Sequence, residues 1–284
     1  MTDLPLSDRV AIITGASRGL GRALATSLRR EGMHVALTAR NAEALDRVAE
    51  ELRAEAGAGQ VFVRAGDVTD PGEVATTVAE IESMFGSVDL LVNNAGLAET
   101  TERPVWEADP DEWWSVMTTN LRGPALFSRF VVPAMVSRGR GRIVNINSMR
   151  GVRAQSTQTA YAVSKGGLAV LTKSLAAALE GTGVRVFDYS PGRVRTDLSH
   201  SLVALGSMSG GGWTPMEQAA EGVLAIASGA LDELSGCFIH AHDEFADLAG
   251  RADEIVAGRG RRLELTEAFI GDPLNQRGAG TAGR

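Results

Sequence analysis

Lysine is nearly missing from this 284-residue chain: of 28 basic residues only Lys165 and Lys173 are lysines, and the rest are arginines. Cysteine is scarcer still. Cys237 stands alone, which excludes an intrachain disulfide and any cysteine-based metal cluster and favours a reducing compartment; a single thiol reads first as a small buried hydrophobe. No apolar run approaches the roughly 18 residues that cross a bilayer, so a membrane-embedded protein is not expected. The first residues, Met1 to Arg9, contain Asp3 and Asp8 and no cationic stretch leading into an apolar one. That pattern lacks a secretion signal and makes the cytoplasm the default. Positive charge is also short. A net charge of -7 and a pI near 5.3 exclude a broad nucleic-acid surface, while leaving room for a few arginines to hold one phosphate.

What the chain does have is apolar residues, 44% of the total, enough for one sizeable domain with a substantial core. They come in short runs. Val10 to Thr14, His34 to Thr38, Val61 to Val63, Leu90 to Val92, Ile143 to Ile146 and Val184 to Phe187 are each separated by a segment long enough for a helix, several with apolar residues at three- or four-residue intervals. Buried strands alternating with helices predict an α/β fold, a Rossmann-like doubly wound parallel sheet with right-handed crossovers. Ligands bind such sheets beyond the carboxyl ends of the strands, so the residues just after each run matter most.

After the first run the chain reads Thr14-Gly15-Ala16-Ser17-Arg18-Gly19-Leu20-Gly21. Glycines between a strand and a helix allow a tight turn, close approach to a pyrophosphate and close helix packing, and the helix N-terminus favours the anion. The spacing differs from the plain G-x-G-x-x-G fingerprint, and such a turn also occurs as nothing more than a turn. The second run ends at Thr38-Ala39-Arg40, with no carboxylate where an NAD-selective fold accepts the ribose hydroxyls. Arg40, helped by Arg18, is the candidate holder of an adenosine 2′-phosphate, which predicts NADP(H) over NAD(H); the plain alternative is a solvated surface arginine.

Tyr161-Ala162-Val163-Ser164-Lys165 opens a helical pattern carried on by Leu168, Leu171, Leu175 and Leu179. Tyr161 and Lys165, four apart, share one face. A nearby ammonium is expected to lower the phenol's pKa and ready it for proton transfer to a carbonyl or from an alcohol. The scarcity of lysine sharpens this reading, because a compact ammonium suits hydrogen bonding to both a phenol and a ribose. Ser148, beyond the run Ile143 to Ile146, is a hydroxyl that can polarise a substrate oxygen. Asn120 follows a helical segment Asp111 to Thr119, and Asn93-Asn94-Ala95-Gly96 follows Leu90 to Val92; each asparagine also fits a cap or turn role.

Thr14 to Gly21, Asn93 to Gly96, Asn120, Ser148, Tyr161, Lys165 and Pro191-Gly192 resemble, in identity and order, the short-chain dehydrogenase/reductase family, and within it the NADP-dependent 3-oxoacyl-carrier-protein reductase-like type. The likeness extends over residues 7 to 240. It implies a hydride-transferring oxidoreductase with substrate and cofactor in one cleft. By that resemblance Tyr161 is the acid/base, Ser148 the substrate-oxygen anchor, Lys165 the residue that holds the nicotinamide ribose and tunes the tyrosine, and Asn120 the support of a proton-relay water. Gly15, Ser17, Arg18, Gly19 and Leu20 match the phosphate turn, Asp67 and Val68 the adenine contacts, Asn94, Ala95 and Gly96 the wall beside adenosine and ribose, and Pro191, Gly192, Val194 and Thr196 the loop at the nicotinamide carboxamide. Two places depart from the family pattern. Ser190 stands where many members have asparagine, and the last strand, Cys237 to Ala241, lacks the usual Asp-Gly-Gly ending.

The expected organisation is a domain over 1–241 with a substrate lid over 199–216, a helical extension over 242–270 and a disordered tail over 271–284. The lid's Leu202, Leu205, Met208 and Trp213 suggest a partly apolar substrate; His200 within it reads as a surface histidine. Phe245, Leu248, Ala252 and Ile255 predict one amphipathic helix over Asp243 to Gly258 that covers the sheet edge or the site mouth. Trp113 and Trp114 read as core or subunit-contact residues. His240 and His242 alternate without further ligands, so no metal is expected. The partners expected are a small carbonyl or alcohol and further copies of the chain, a dimer or tetramer; the alternatives are an NAD-dependent alcohol dehydrogenase of the same family and a dinucleotide-binding regulator without turnover.

Overall fold

The computed structural model describes residues 5–55, 57, 59–199, 212–258 and 260–263. Seven parallel strands form one sheet in the order β3-β2-β1-β4-β5-β6-β7, with β1 Val10–Thr14, β2 His34–Ala39, β3 Val61–Ala65, β4 Leu90–Asn93, β5 Gly141–Ile146, β6 Val184–Ser190 and β7 Phe238–His240. The central strands are buried along their whole length, β1 and β5 completely, which is why they read as continuous apolar runs rather than as alternating ones. All seven strands lie where the sequence places them: β2 to β6 run one to three residues longer, and β7 is one residue shorter at each end than Cys237 to Ala241.

Helices cover both faces. On one, α1 (Gly19–Arg30), α2 (Ala42–Ala54) and α7 (Met216–Ser228) pack over Ile13, Leu37, Val92 and Tyr189. On the other, α3 (Pro71–Phe85) and α5 (Gly123–Arg138) close over Ile12, Leu91, Ile143 and Val186, while α4 (Pro110–Met117) lies against α6 (Thr159–Ala178). The two apolar layers draw on alternate residues of the same strands, as the pleat requires. Sequence order reverses between β1, flanked by β2, and β4, so the crevice of this sheet opens beyond the carboxyl ends of β1 and β4.

Three expectations change. The segment Asp111 to Thr119 does not end before Asn120: a π-helical turn, Thr118–Arg122, closed by the Gly123 N–H to the Thr118 carbonyl, joins α4 to α5 and contains Asn120. The single extension helix is two short ones, Phe245–Gly250 and Ala252–Ala257, broken at Arg251; the apolar face is the expected one, with Leu248 and Ala252 buried and Phe245 and Ile255 packed on the same core. Trp113 packs beside Tyr161 and Val116, but Trp114 is 62% exposed and belongs to no core. Lid residues 200–211, His200, Leu202, Leu205 and Met208 among them, and residues 264–284 lie outside the described residues.

Candidate active site

A cleft of about 730 Å³ runs over the carboxyl ends of the strands. At one end lies the glycine turn. Gly15 and Gly19 both adopt positive φ, +66° and +54°, a conformation that L side chains resist. Gly21 has a different reason: a Cβ there would sit 2.4 Å from the Gly15 carbonyl and 2.5 Å from Asn94 Nδ2. Asn94 ties this turn to β4, donating through Nδ2 to the carbonyls of Thr14 (2.8 Å) and Gly15 (3.2 Å), while Thr14 Oγ1 accepts from the N–H groups of Asn94 and Ala95. Helix α1 begins at Gly19 without a side-chain cap and without an acidic residue in its first turn. Its free N–H groups and positive dipole end therefore face the cleft, as a diphosphate requires.

Beyond β2, exposed Arg40 lines the cleft beside Asp67. Burial alone raises the Asp67 pKa, but hydrogen bonds from the Thr69 N–H and hydroxyl and the charge of Arg40 outweigh it and hold the carboxyl below its ordinary value. Arg18 is engaged by Asp197 at 2.7 Å, in a pair open to solvent on both sides; such pairs are weakly held and yield readily to a competing anion.

At the other end, β5 delivers Ser148, which caps the short helix Met149–Val152 by accepting from the Arg150 N–H at 3.3 Å. Helix α6 brings Tyr161 and Lys165 to the same wall, and the Tyr161 phenol hydrogen-bonds Ser148. One expectation is overturned here. The Tyr161 pKa is raised, not lowered: burial is the largest cause, only partly offset by Ser148 and by the charge of Arg150, and Glu99 adds to the rise. Lys165 does not reach the phenol as anticipated. Its Nζ donates to the Ile146 carbonyl at 2.7 Å and lies 5.7 Å from the tyrosine ring centre. Burial pushes the Lys165 pKa down to about 8, with Asp188 acting in the opposite direction.

Eighteen of the nineteen residues singled out in the sequence line this cleft: Gly15, Ser17, Arg18, Gly19, Leu20, Arg40, Asp67, Val68, Asn94, Ala95, Gly96, Ser148, Tyr161, Lys165, Pro191, Gly192, Val194 and Thr196. Asn120 stands behind the wall, fully buried. Its side chain accepts from the Leu97 N–H and donates to the Leu97 carbonyl, both at 2.8 Å, and to Ser164 Oγ at 2.9 Å; Ser164 Oγ in turn donates to the Tyr161 carbonyl. Asn120 thus fastens the loop after β4 to the helix that carries Tyr161 and Lys165.

Residues the sequence reading passed over include Glu99, whose carboxylate accepts from the N–H groups of Ala160 and Tyr161, Arg150, bound to Gln158, and the buried pair Asn147 and Asp188. Only Asp188 left a trace in the sequence, a carboxylate directly after the run Val184 to Phe187. Among the described residues no group of three or more His, Cys, Asp or Glu is arranged to hold a metal ion, and no helix is long and apolar enough to cross a membrane.

Comparison with known proteins bears on this site. A family model described as short chain dehydrogenase matches residues 9–204. A short chain dehydrogenase of Pseudocercospora fijiensis is 37% identical over 193 residues, 68% of this chain and 62% of that protein, so the match spans somewhat less than two thirds of the relative's length. The 3-oxoacyl-acyl-carrier-protein reductase FabG of Escherichia coli is 35% identical over 194 residues, 68% of this chain and 77% of its own. Among solved structures, a gluconate 5-dehydrogenase from Burkholderia cenocepacia, in complex with NADP and tartrate, superposes with a TM-score of 0.77 at 30% identity, covering 84% of this chain and 95% of that one.

Proposed function

The chain belongs to the short-chain dehydrogenase family, whose members oxidise or reduce at a CH–OH carbon with a nicotinamide dinucleotide, and from that premise we propose that it is an NADP(H)-dependent enzyme interconverting a ketone or aldehyde with an alcohol, with Tyr161 as acid and base. The observation that carries this reading is the juxtaposition, in one cleft, of Tyr161, Ser148 and Lys165 at one end with a glycine turn, an uncapped helix and Arg40 at the other. The glycine turn fits a diphosphate, and Arg40, at the end of β2 where the strand itself carries no carboxylate, offers a bidentate guanidinium to a 2′-phosphate. Asp67, Val68, Asn94, Ala95 and Gly96 would wall the adenosine, and Pro191, Gly192, Val194 and Thr196 the carboxamide end.

When bound, the nicotinamide supplies or accepts the hydride. The chain's own residues handle the proton and the geometry. Ser148 and Tyr161 would both hydrogen-bond the substrate oxygen, fixing the carbonyl and stabilising the charge that develops on it. Burial keeps the Tyr161 phenol protonated, so it stands ready to donate to an oxygen that becomes an alcohol. Lys165, whose Nζ lies 5.7 Å from the centre of the phenol ring, would hold the ribose by hydrogen bonding. Asn120 supports this arrangement by fastening α6. The substrate is a small, partly apolar carbonyl or alcohol, and Val163 and Val170, both half-exposed on α6, favour association with further copies of the chain.

The test is NADPH oxidation against a panel of ketones and aldehydes. Turnover is expected, and Tyr161→Phe should lower kcat by about a hundredfold or more while leaving NADPH affinity within a few fold. Binding of NADPH without turnover on any member of the panel would make the chain a dinucleotide sensor instead.

A further inference from the structure

Strands β5 and β6 carry polar side chains where a doubly covered sheet needs apolar ones. Asn145 and Asp188 are register partners on these strands, and with Asn93, Asn147 and Thr172 they are all buried. Their hydrogen bonds form a chain. Asn93 Nδ2 donates to Asn145 Oδ1, Asn145 Nδ2 to Thr172 Oγ1, and Thr172 Oγ1 to Asp188 Oδ1, each at 2.8 Å. Asn147 Nδ2 donates to Asp188 Oδ1 at 2.9 Å and to the Lys165 carbonyl at 3.1 Å, while Asn147 Oδ1 accepts the Ser148 N–H at 2.7 Å. The chain therefore begins under β4 and ends on the backbones of two cleft residues, Ser148 and Lys165.

A buried carboxylate is costly unless paired, and an apolar residue in its place is often neutral or stabilising. Burial pushes Asp188 up to about 6 even with two donors on it. What it faces gives the reason for its presence. Lys165 is buried with one hydrogen bond from Nζ, and Asp188 is the charge that opposes the loss of its proton. Asp188 also borders a second cavity of about 560 Å³, whose other charged or titratable lining groups are Lys173 from α6, Arg153 just beyond the short helix after β5, His240 from β7, Asp243 beyond it, and Arg261 and Arg262 from the last described segment. On the cleft side Lys165 has Tyr161, Glu99 and Arg150 as titratable or charged neighbours.

We propose that Asp188 is a positioning residue for the acid/base pair: through Asn147 its buried carboxylate fixes the backbones of Lys165 and Ser148, and it sets a negative charge behind the buried Lys165 ammonium. The proposal rests on reading this cleft as a carbonyl–alcohol site. Its test uses the full chain and two readouts, the pH profile of kcat/KM and the pH dependence of the NADPH dissociation constant.

In Asp188→Asn the side-chain oxygen still accepts from Asn147 and Thr172, but the charge is gone. Lys165 then loses its proton at lower pH, so the alkaline limb should move to lower pH, with a loss of kcat/KM on that limb and a smaller change at lower pH. NADPH affinity should weaken over the same shifted range. Asp188→Ala should show that shift together with a lower kcat at every pH, and added formate, entering from the second cavity, should return the limb towards its original place. An unshifted limb in a folded Asp188→Asn protein overturns the proposal. So does loss of cooperative melting in both variants, which would make Asp188 a residue of the fold alone. If the unaltered protein reduces no carbonyl, the functional reading fails, while the NADPH titration still decides the role of Asp188.

Discussion

Arg40 follows the last residue of β2 and lines the cleft beside Asp67, whose carboxyl it helps to keep ionised. A guanidinium in that place offers two parallel donors to a phosphate and nothing to a pair of ribose hydroxyls, so its removal should discriminate between the two dinucleotides. A charge-assisted hydrogen bond is worth about 1.5–3 kcal/mol, so Arg40→Asp should lower kcat/KM for NADPH by about ten- to a hundredfold and leave or improve that for NADH. Equal losses with both dinucleotides, measured in parallel steady-state assays, would remove Arg40 from the specificity determinants. Arg40 was legible in the sequence because its meaning lies in a strand end and a missing carboxylate, both local. The Tyr161 pKa was not: four-residue spacing promised an ammonium on the phenol, whereas the depth of the helix decides, since burial outweighs every charge acting on that phenol.

Helix α6 carries Tyr161 and Lys165, and its start is held in an unusual way. Gln158, the residue before it, adopts a positive φ of 52° and gives no side-chain cap. The cap comes from elsewhere in the chain: the Glu99 carboxylate, only 4% exposed, accepts from Ala160 N at 2.6 Å and Tyr161 N at 3.1 Å, anchoring the helix at the residue that bears the phenol and complementing its dipole. Glu99→Ala would leave two buried donors unsatisfied, which costs about 1–3 kcal/mol each. The expected result is a loss of at least about 2 kcal/mol in denaturant unfolding together with a lower kcat, with Glu99→Gln between the two because its amide oxygen still accepts. A Glu99→Ala protein as stable as the parent would show that water caps the helix as well. Elements such as α6 and the six long strands could be read from apolar period and run length, because these record burial directly. The cap, the π turn at Asn120 and the Asp188 chain could not, since each joins residues far apart in sequence or depends on hydrogen-bond register, which composition does not record.

For the molecule as a whole, the sheet uses both faces and the carboxyl edge, and several of the exposed large apolar side chains lie on α4, α5 and α6. Val163 and Val170 lie seven residues apart on one face of α6 and are 50% and 51% exposed; Val136 of α5 and Trp114 of α4 are exposed too. Single exposed apolar residues are ordinary, but two at helical spacing on the helix that carries the acid/base pair, with others on neighbouring helices, suit a contact that repeats by symmetry. Such a contact would brace α6 from outside, as Asn120 and Glu99 brace it from within. Light scattering of the purified protein should give a mass that is a multiple of the 29.8 kDa chain. Replacing Val163 and Val170 together with glutamate should reduce it to the single-chain value, since like charges brought face to face across a symmetric interface repel, while each isolated chain should lose little stability because both positions face solvent. If the unaltered protein already has the mass of one chain, α6 is held by its internal contacts alone, and the exposed valines serve no assembly.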